Sequence, residues 1–523
     1  MDNYTISIVT NRLYDADNYC IYLHPLLCWI IGIMSNILPQ ADAFALLGRT
    51  LIWGAFVWLF YNIMGSQQKS SDKILEIFFL LFLSTALNIW NENYTVQAAF
   101  FMFTGLVTLF GVERKKRFGL LDICIGTAFM CIGVMWRIRA ALLFIPFVLL
   151  EIVAGRICTE ESGTDYWKNV KKAFGSVFLL FLILVVSRSA VQMSEEYNSS
   201  VAYDSARVKV QDYPMKDWEV VENELVGISR SEYDSAKSWI LLDTETIDKD
   251  FLLKIADVGE TTEFDWNIHG LVKGFKMMAL TVWRSSKAVW IFLSVFLSVF
   301  LYAFLANQSW WRKLECVLAC AGAGIIILYY IMVGRAPLRV WESVIFAAMG
   351  VLVINKLSAD EQVVDKRFFI VLKVFVGLLL CVGIFRDVVT AEFSAPQLAI
   401  NSRSHVDEAL YEETFEEEAL YFWESWHANI TQYYMKQGKL PSEELLRHNL
   451  SVGDWTYGQV YFVNHLEEVN AENPAKALVD RNDTYFVGEN NLFLLEYLKE
   501  HYGNDIKVKQ CGEINSIPIW SFH

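Results

Sequence analysis

The chain has 523 residues, of which 54% are hydrophobic and 20% charged, and its mean hydropathy is +0.31. Soluble globular proteins contain about 45–50% apolar residues, so the composition excludes an ordinary soluble protein and indicates an integral membrane protein. A formal net charge of −15 excludes nucleic acid as a partner, because a phosphate backbone requires a basic face. The nine cysteines mostly fall within apolar stretches, which predicts free thiols rather than a disulfide framework.

The first 42 residues form a polar segment that ends in a short apolar stretch. Residues 22–38 are too short and too interrupted to make a full membrane span. Pro25 suits the first turn of a helix, where the amide hydrogen that proline lacks would be unbonded in any case. Residues 1–42 therefore predict an external N-terminal segment with an interfacial helix that lies on the membrane.

Ten apolar stretches are long enough to cross about 30 Å of hydrocarbon, which takes about 17–25 residues of helix. These predicted spans are residues 43–65, 74–90, 95–112, 119–136, 139–155, 172–191, 286–306, 314–334, 340–357 and 368–386. They predict a mainly α-helical, polytopic bundle of about ten spans. Its membrane helices occupy residues 43–191 and 286–386, on either side of an extracytoplasmic loop at 192–285.

The basic residues of the short loops predict the orientation of these spans. Loops such as 114–117 and 312–313 are rich in Lys and Arg, whereas the loop at 91–94 has neither. Cytoplasmic loops carry the excess of basic residues, so the chain as given is a multi-pass cell-membrane protein with both termini extracytoplasmic. An external N-terminus with no preceding span is unusual, and we therefore expect a further membrane helix encoded upstream of Met1.

The two long external regions are acidic. Residues 192–285 hold 18 acidic and 10 basic residues, and residues 387–523 hold 23 and 9. The second region predicts a small extracytoplasmic α/β domain, long enough to bury its own core. The pattern predicts a helix over residues 412–424, short strands at 458–465 and 483–488, and a helix at 490–503 that Gly503 closes.

Carboxylates at the edge of the membrane are the first candidates for chemistry. Asp2 lies at the very start of the chain, and Asp15 and Asp17 precede His24. Such carboxylates can act as general bases or bind a divalent cation. An equally ordinary interpretation makes Asp15 and Asp17 solvated residues of an external segment.

External arginines are the second group of candidates, because a guanidinium group matches the oxygens of a phosphate. Those predicted near the outer membrane surface are Arg49, Arg137, Arg139, Arg335 and Arg339. The alternative for Arg137 and Arg139 is that they only extend to the membrane surface. In the loop at 192–285, Arg207 and Asp212 stand near tyrosines and suit sugar hydroxyls, although an ordinary folded loop would also contain such residues.

The opening of the chain resembles that of the GT-C membrane glycosyltransferases. Asp2 is followed by Asn3 and Tyr4, Pro25 then opens the interfacial helix, and Arg49 lies near the outer end of the first full span. Within that superfamily, the segment is most similar to the dolichyl-phosphate-mannose protein mannosyltransferases and the bacterial lipid A aminoarabinose transferases. The resemblance covers roughly the first 60 residues and agrees with the predicted topology beyond them.

The resemblance implies transfer of a sugar from a polyprenyl-phosphate donor to an external lipid, glycan or protein acceptor, with inversion at the anomeric carbon. It implies that Asp2 is the catalytic carboxylate. Independently of the resemblance, Arg49 and the other external arginines are expected to bind the donor phosphate, and Asp15, Asp17, His24, Arg207 and Asp212 are expected at the acceptor and sugar sites. No cofactor is implied beyond a divalent cation, which the sequence leaves open. The chain departs from the family pattern at Asn3 and His24, where a second acidic residue and a second proline would stand, and lacks the family's first membrane helix.

Other functions remain open at this point. A polysaccharide polymerase or ligase also combines many spans with a large external loop and arginines, and a transporter or flippase of lipid-linked saccharides is a further alternative. A noncatalytic scaffold would use the tail to bind partners. The sequence contains no nucleotide-binding loop, hydrolase elbow or zinc-protease motif, so reactions driven by nucleotides are not expected.

Overall fold

The computed structural model of the protein describes residues 2–11, 20–65, 80, 93–111, 120–158, 164–192, 194–243, 245–261, 267–284, 287–306, 309–335, 337–357, 419–424, 440, 446–453, 455–489, 491–514 and 517–523. Up to residue 357, every regular element in these ranges is helical. The helices are α1 (Asp2–Thr10), α2 (Pro25–Ile37), α3 (Ala43–Gly65), α4 (Tyr94–Phe110), α5 (Leu120–Trp136), α6 (Ile138–Leu142), α7 (Ile145–Cys158), α8 (Thr164–Val191), α9 (Glu195–Gln211), α10 (Trp218–Val221), α11 (Arg230–Lys237), α12 (Lys249–Gly259), α13 (Ile268–Arg284), α14 (Lys287–Ala306), α15 (Trp310–Met332) and α16 (Leu338–Leu357).

Eight of the ten predicted spans fall on described helices. The span at 368–386 lies outside the described residues, as does the span at 74–90 except for residue 80. Three described helices are long and apolar enough to cross a membrane, namely α3, α15 and α16, and a bent pair formed by the end of α8 and α9 would make a fourth. The 17-residue helices α4 and α5 are apolar but shorter. The structure therefore agrees with a mainly helical membrane protein and does not establish ten spans.

The predicted span at 139–155 differs from the structure, because the chain breaks within it. Helix α6 ends at Leu142, and a turn at Leu143 and Phe144 separates it from α7. Arg137 precedes α6 in an extended conformation, with φ −160° and ψ 98°, so the helix of the preceding span ends at Trp136. Arg137 therefore lies directly after α5, and Arg139 follows it in the short helix α6.

Helix α4 forms the centre of the bundle, and sixteen of its seventeen residues are buried. It packs closely on α5 because glycines replace side chains along the contact. A Cβ atom at Gly105 would lie 2.6 Å from Cγ of Met130 and 2.8 Å from the carbonyl oxygen of Gly126. Helix α16 covers the other side of α4, where Gly350 faces Leu106. Small residues thus permit the close helix approach that is typical of membrane bundles.

The helix predicted within residues 22–38 is present as α2. Pro25 occupies its first turn, and the side chain of His24 caps its N-terminus. The apolar residues Trp29, Ile33 and Ile37 are exposed on one side, whereas the opposite side packs into the bundle core. An amphipathic contact of this kind suits a helix at the membrane surface.

Helix α1, which the sequence did not predict, is held to the start of α3 by a buried polar network around Asp42. Ser7 Oγ donates to the carboxylate of Asp42, and Asn11 Nδ2 donates to the same oxygen over 3.2 Å. The amide of Ala45 donates to it over 3.1 Å, so Asp42 also caps α3. Ser35 of α2 donates to the carbonyl oxygen of Asn11 over 2.9 Å, which joins all three helices.

The C-terminal region confirms the predicted small α/β domain. Its elements are β1 (Leu420–Glu424), β2 (Asn449–Val452), α17 (Val460–Glu468), α18 (Pro474–Asp480), β3 (Thr484–Val487), α19 (Asn491–Tyr502), β4 (Val508–Ile514) and β5 (Ile517–Phe522). They form one sheet in the order β2-β1-β3-β5-β4, in which β1 runs parallel to both β2 and β3 while β5 is antiparallel to β3 and β4.

Two of the predicted tail elements are wrong in type. Of the helix predicted over 412–424, residues 420–424 form strand β1, whose five residues are all buried and pair within the sheet, and residues 412–418 lie outside the described residues. The strand predicted at 458–465 is helix α17, because Phe462, Leu466 and Val469 form one buried helical face. The strand at 483–488 and the helix closed by Gly503 are confirmed as β3 and α19, and Gly503 has a φ of +146°.

Helices α9 to α12, which the sequence predicts to be external, share one hydrophobic core with this sheet. The two long regions therefore meet in a single body, here named the external body after that prediction. The amide of Ala475 donates to the carbonyl oxygen of Leu242 over 3.2 Å, and Tyr502 Oη donates to Asp243 over 3.1 Å. The body reaches the membrane helices through the turn after β2, where Trp455 packs on Tyr22.

Candidate functional site

Arg137 lies where the end of α5 meets the N-terminal segment and the external body. Its guanidinium carbon is 4.4 Å from the centroid of the Tyr22 ring and 4.9 Å from that of Tyr94. Tyr94 is fixed because it opens α4 and is buried, with Asn93 capping that helix. The two rings therefore hold the cation by cation–π contact, which leaves the N–H groups at its edge able to bind an anion.

Tyr22 connects this cation to the external body. Its ring centroid lies 4.9 Å from that of Trp455 and 6.2 Å from that of Tyr94. Its hydroxyl group donates to Asp204 Oδ1 over 3.0 Å and accepts from Arg207 Nη2 over 3.2 Å. One side chain thus contacts the membrane bundle through its ring and the external helix α9 through its hydroxyl.

Arg207, predicted as an acceptor-binding residue, is buried and paired with residues of its own helix. Its Nη2 atom lies 2.6 Å from Asp204 Oδ1, and Nη1 donates to Gln211 Oε1 over 2.8 Å. Burial would lower the pKa of Arg207, but the neighbouring oxygens of Tyr22 and Asp204 raise it above its ordinary value. Because Asp204 neutralises it, this arginine offers little free charge to a phosphate or a carboxylate ligand.

Arg335 and Asp212, predicted for the donor and acceptor sites respectively, bind one another. Nη2 of Arg335 makes an ion pair with Asp212, which follows α9, and the guanidinium group also lies 5.3 Å from the Tyr213 ring. The pair joins the turn between α15 and α16 to the external body. At the same turn, Gly334 has a φ of +76° and packs directly against Pro214.

His24, another predicted acceptor residue, joins three helix ends. The amide of Leu26 donates to Nδ1 over 3.2 Å, so this nitrogen is unprotonated and Nε2 carries the hydrogen. Nε2 then donates to the carbonyl oxygen of Leu184 in α8 over 2.7 Å, while the backbone amide of His24 donates to Met135 in α5 over 2.9 Å. Burial lowers the pKa of His24, the bond to the Leu184 carbonyl oxygen raises it, and the positive charge of Arg188 lowers it further. Because the pKa is lowered overall, the imidazole stays neutral.

Arg188 is the functional candidate that the sequence reasoning missed. It follows Ser187, whose Oγ atom lies 3.2 Å from His24 Nε2, near the end of α8. Its positive charge acts on the side chains of His24, Cys28 and Tyr197, none of which is a carboxylate. The signal in the sequence was an arginine directly before a long external loop, but the same position also suits a residue that only extends to the membrane surface.

Within the part of the chain that the structure describes, neither Arg137 nor Arg188 forms an ion pair with a carboxylate. Both arginines belong to helix ends that bond to His24, because His24 contacts Met135 at the end of α5 and Leu184 near the end of α8. The site therefore combines two cations without neighbouring acids, aromatic rings and a neutral imidazole. That combination favours an anion with several oxygens, such as a phosphate.

The remaining predicted residues are more dispersed. Arg49 is half-buried in α3, Arg139 is exposed in α6 and lies within electrostatic range of Tyr330, and Arg339 is half-buried in the first turn of α16. Asp2 is the first residue of α1, whereas Asp15 and Asp17 lie outside the described residues. In the described ranges, no group of three His, Cys, Asp or Glu side chains could hold a metal ion.

Comparisons with known proteins give one similarity. No family model and no curated protein matches the chain. Among solved structures, the chain is similar to the crystal structure of ArnT from Cupriavidus metallidurans bound to undecaprenyl phosphate. The match covers 100% of this chain and 93% of that chain, with 12% sequence identity and a TM-score of 0.35.

Proposed function

We propose that the protein is a membrane glycosyltransferase that moves a sugar from a polyprenyl-phosphate donor to an extracytoplasmic acceptor. The observation that carries the proposal is the position of Arg137, whose guanidinium group is held on the rings of Tyr22 and Tyr94 without a carboxylate partner among the described residues. A cation in this setting is prepared for an anionic ligand, and its place at the outer end of α5 suits a phosphate carried on a lipid.

Arg137 and Arg188 would bind the phosphate of the donor. As the bond between the anomeric carbon and the phosphate oxygen breaks, the electron pair stays with that oxygen, and charge develops on the leaving lipid phosphate. Fixed cations that face this developing charge lower the barrier more than they stabilise the bound donor. His24 is a positioning residue in this scheme, because its bonds to Leu184 and Met135 fix the helix ends beside both arginines.

Asp2 would act as the general base. Its carboxylate would take the proton of the acceptor hydroxyl as that oxygen attacks the anomeric carbon from the face opposite the phosphate, which inverts the configuration. Asp2 is the first residue of α1, and the network of Ser7, Asn11 and Asp42 holds this helix against α3.

The external body would control access of the acceptor. It meets the proposed phosphate site where Trp455 packs on Tyr22, and Trp239 lies 5.4 Å from the guanidinium group of Arg207. Aromatic faces of this kind suit the rings of a sugar. In this scheme Arg207 and Asp212 maintain the joint between the body and the bundle, and neither of them contacts the acceptor.

The proposal is tested by transfer from radiolabelled polyprenyl-phosphate sugars with the full chain in proteoliposomes. We expect Arg137→Gln to raise KM for the donor about tenfold and to lower kcat about a hundredfold, since one fixed charge in a catalytic site contributes about 2.7–4 kcal/mol. Asp2→Asn should abolish transfer while the donor still binds. The matched control is Arg230→Gln, which removes an exposed arginine from the external body.

Several outcomes would contradict the proposal. Transfer by Arg137→Gln at the rate of the control would remove the phosphate site, and full activity of Asp2→Asn would remove the catalytic base. If the intact protein transferred no sugar from any donor, polymerisation and transport of lipid-linked saccharides would become the functions to test. Binding of polyprenyl phosphate without transfer would point to transport.

A further inference from the structure

Helix α13 connects the external body to α14 and has three different faces. One face packs on the membrane bundle, where Gly274 approaches Leu328 and Met332 of α15. Met278 and Val282 continue this face and pack against the main core cluster. The helix is therefore fixed to the end of α15 that leads into the turn at Gly334, the turn that carries Arg335.

The second face is apolar and exposed. Ile268, Val272, Phe275 and Trp283 are 82%, 61%, 54% and 53% exposed, respectively. At 3.6 residues per turn these positions form one stripe, about a quarter turn from the packed face. None of the described residues covers this stripe, although it is as apolar as the packed face.

The third face is basic. His269, Lys273 and Lys276 are exposed beside the apolar stripe, and the sequence of α13 contains no Asp or Glu. This absence contrasts with the preceding external region, since residues 192–267 hold 18 acidic and 7 basic residues. Lysines are also unexpected here on topological grounds, because the charge pattern predicts that this region is external and basic residues favour the cytoplasmic side.

Aromatic residues indicate the depth of α13 relative to the membrane. The Trp283 ring lies 6.3 Å from that of Trp290, which belongs to the first turns of the predicted span α14. Tryptophans concentrate at the boundary between hydrocarbon and headgroups. An exposed apolar stripe with lysines beside it and tryptophans at its end matches a helix that lies in that boundary.

We propose that α13 binds anionic phospholipid in the outer leaflet, with its apolar stripe among the acyl chains and with Lys273 and Lys276 on the headgroups. The charge of the helix argues for this occupant, because the cations complement an anionic surface while the rest of the external region would repel one. The neighbouring surface supports the same occupant, because Ile325 and Tyr329 of α15, next to α13, are exposed as well and continue the apolar stripe. This inference does not depend on the transfer reaction.

The role of the two lysines is tested with the full chain in mixed nanodiscs of phosphatidylcholine and phosphatidylglycerol. Mass spectrometry measures how much of each lipid the protein retains. The double variant Lys273→Gln with Lys276→Gln should lower the preference for phosphatidylglycerol about thirtyfold, since each lysine near an anionic surface contributes about fivefold. Lys249→Gln with Lys254→Gln is the matched control, because both lysines are exposed on the external helix α12. Equal loss in both variants, or no loss in either, would overturn the proposal.

The apolar component is tested by photo-crosslinking from benzoylphenylalanine in place of Phe275, again in the full chain. Crosslinks to phospholipid are expected. A covalent dimer of the chain would show instead that a second copy covers the stripe, and crosslinks to the described body of the same chain would show that α13 folds back on the protein. Either of those two results would overturn the proposal, whatever the headgroup preference.

Discussion

The guanidinium group of Arg137 lies 4.4 Å from the ring of Tyr22, although Tyr22 belongs to the N-terminal segment and Arg137 to the end of a membrane helix. The same tyrosine bonds to Asp204 and Arg207 on the external body through its hydroxyl group. The membrane bundle, the N-terminal segment and the external body therefore meet at one aromatic ring. The contact made by the ring and the hydrogen bonds made by the hydroxyl group can be tested separately by substituting Tyr22.

Tyr22→Phe should keep the support of Arg137 and lose only the hydroxyl bonds. We expect a loss of about 2 kcal/mol in the free energy of unfolding and little change in donor binding, because two hydrogen bonds are lost and each contributes about 1 kcal/mol. Tyr22→Ala removes the ring as well, and affinity for a polyprenyl phosphate should fall about tenfold, the upper range for a cation–π contact. Titration of both variants with the lipid by fluorescence or calorimetry measures the difference. Equal affinities would show that the ring does not prepare Arg137 for an anion.

The sequence predicted those features that depend on neighbouring residues. The apolar length of α3 defined a span, Pro25 marked the start of α2, and Gly503 marked the end of α19, all by local rules of helix geometry. It could not predict that Asp212 and Arg335 neutralise each other, because they are 123 positions apart in the chain. Both residues were predicted in a binding site because of their charge. Only the tertiary structure shows whether an arginine has a carboxylate partner.

Local patterns also failed where two interpretations were equally good. Residues 458–465 contain β-branched and aromatic residues and would form an acceptable strand, and the choice of helix α17 depended on a buried partner surface for Phe462. Arg188 was missed for a similar reason, since an arginine at a helix end is usually there to reach water. Its neighbour Ser187 distinguishes the position, because Ser187 Oγ lies 3.2 Å from His24 Nε2, a contact that crosses from α8 to the N-terminal segment. The charge of Arg188 acts on His24 from there.

Asp42 should be essential for holding α1 in place. Its carboxylate is buried and accepts from Ser7, Asn11 and the amide of Ala45, so Asp42→Ala removes three hydrogen bonds, although Asn11 Nδ2 still donates to the carbonyl oxygen of Ser7. We expect a loss of about 3 kcal/mol, at about 1 kcal/mol for each buried donor. Hydrogen exchange of α1 measures the effect, which should appear as faster exchange over residues 2–11.

The control for Asp42 is Asp257→Ala, an exposed aspartate on α12 whose removal should change stability by less than about 0.5 kcal/mol. Under the proposed function, Asp42→Ala should also lower transfer, because α1 begins with Asp2. Slow exchange of α1 in the Asp42→Ala variant would show that hydrophobic contacts alone hold this helix.

His465 should make the external body less stable in acid. It is buried in α17 and its Nε2 lies 3.0 Å from the carbonyl oxygen of Arg447, to which it donates. Burial, as the largest cause, lowers the pKa of His465 from 6.5 to about 4, so the folded state keeps the ring neutral. The unfolded chain binds a proton first as the pH falls, and the contribution of His465 is complete above about pH 6.5 and is lost between pH 6.5 and 4.

The expected loss is about 3 kcal/mol across that window, because one pKa unit corresponds to about 1.4 kcal/mol. Thermal unfolding of the external body, followed between pH 7 and 4, measures it. His465→Gln keeps an N–H donor but cannot titrate, so its stability should vary less with pH than that of the unchanged protein. Identical pH profiles for the two proteins would assign the acid sensitivity to other groups.

Gly105 should be the position in the bundle where an added methyl group costs most. Gly105→Ala would place its Cβ 2.6 Å from Cγ of Met130 and 2.8 Å from the carbonyl oxygen of Gly126, so α4 and α5 would have to move apart. Overpacking of this kind costs about 1–3 kcal/mol. Gly54→Ala is the matched control, because a Cβ at Gly54 would meet nothing within 4 Å and alanine favours the helix by about 1 kcal/mol. Unfolding in mixed micelles should therefore shift in opposite directions for the two variants. A shift of the same sign and size would mean that α4 and α5 are not packed as closely as the glycines at their contact allow.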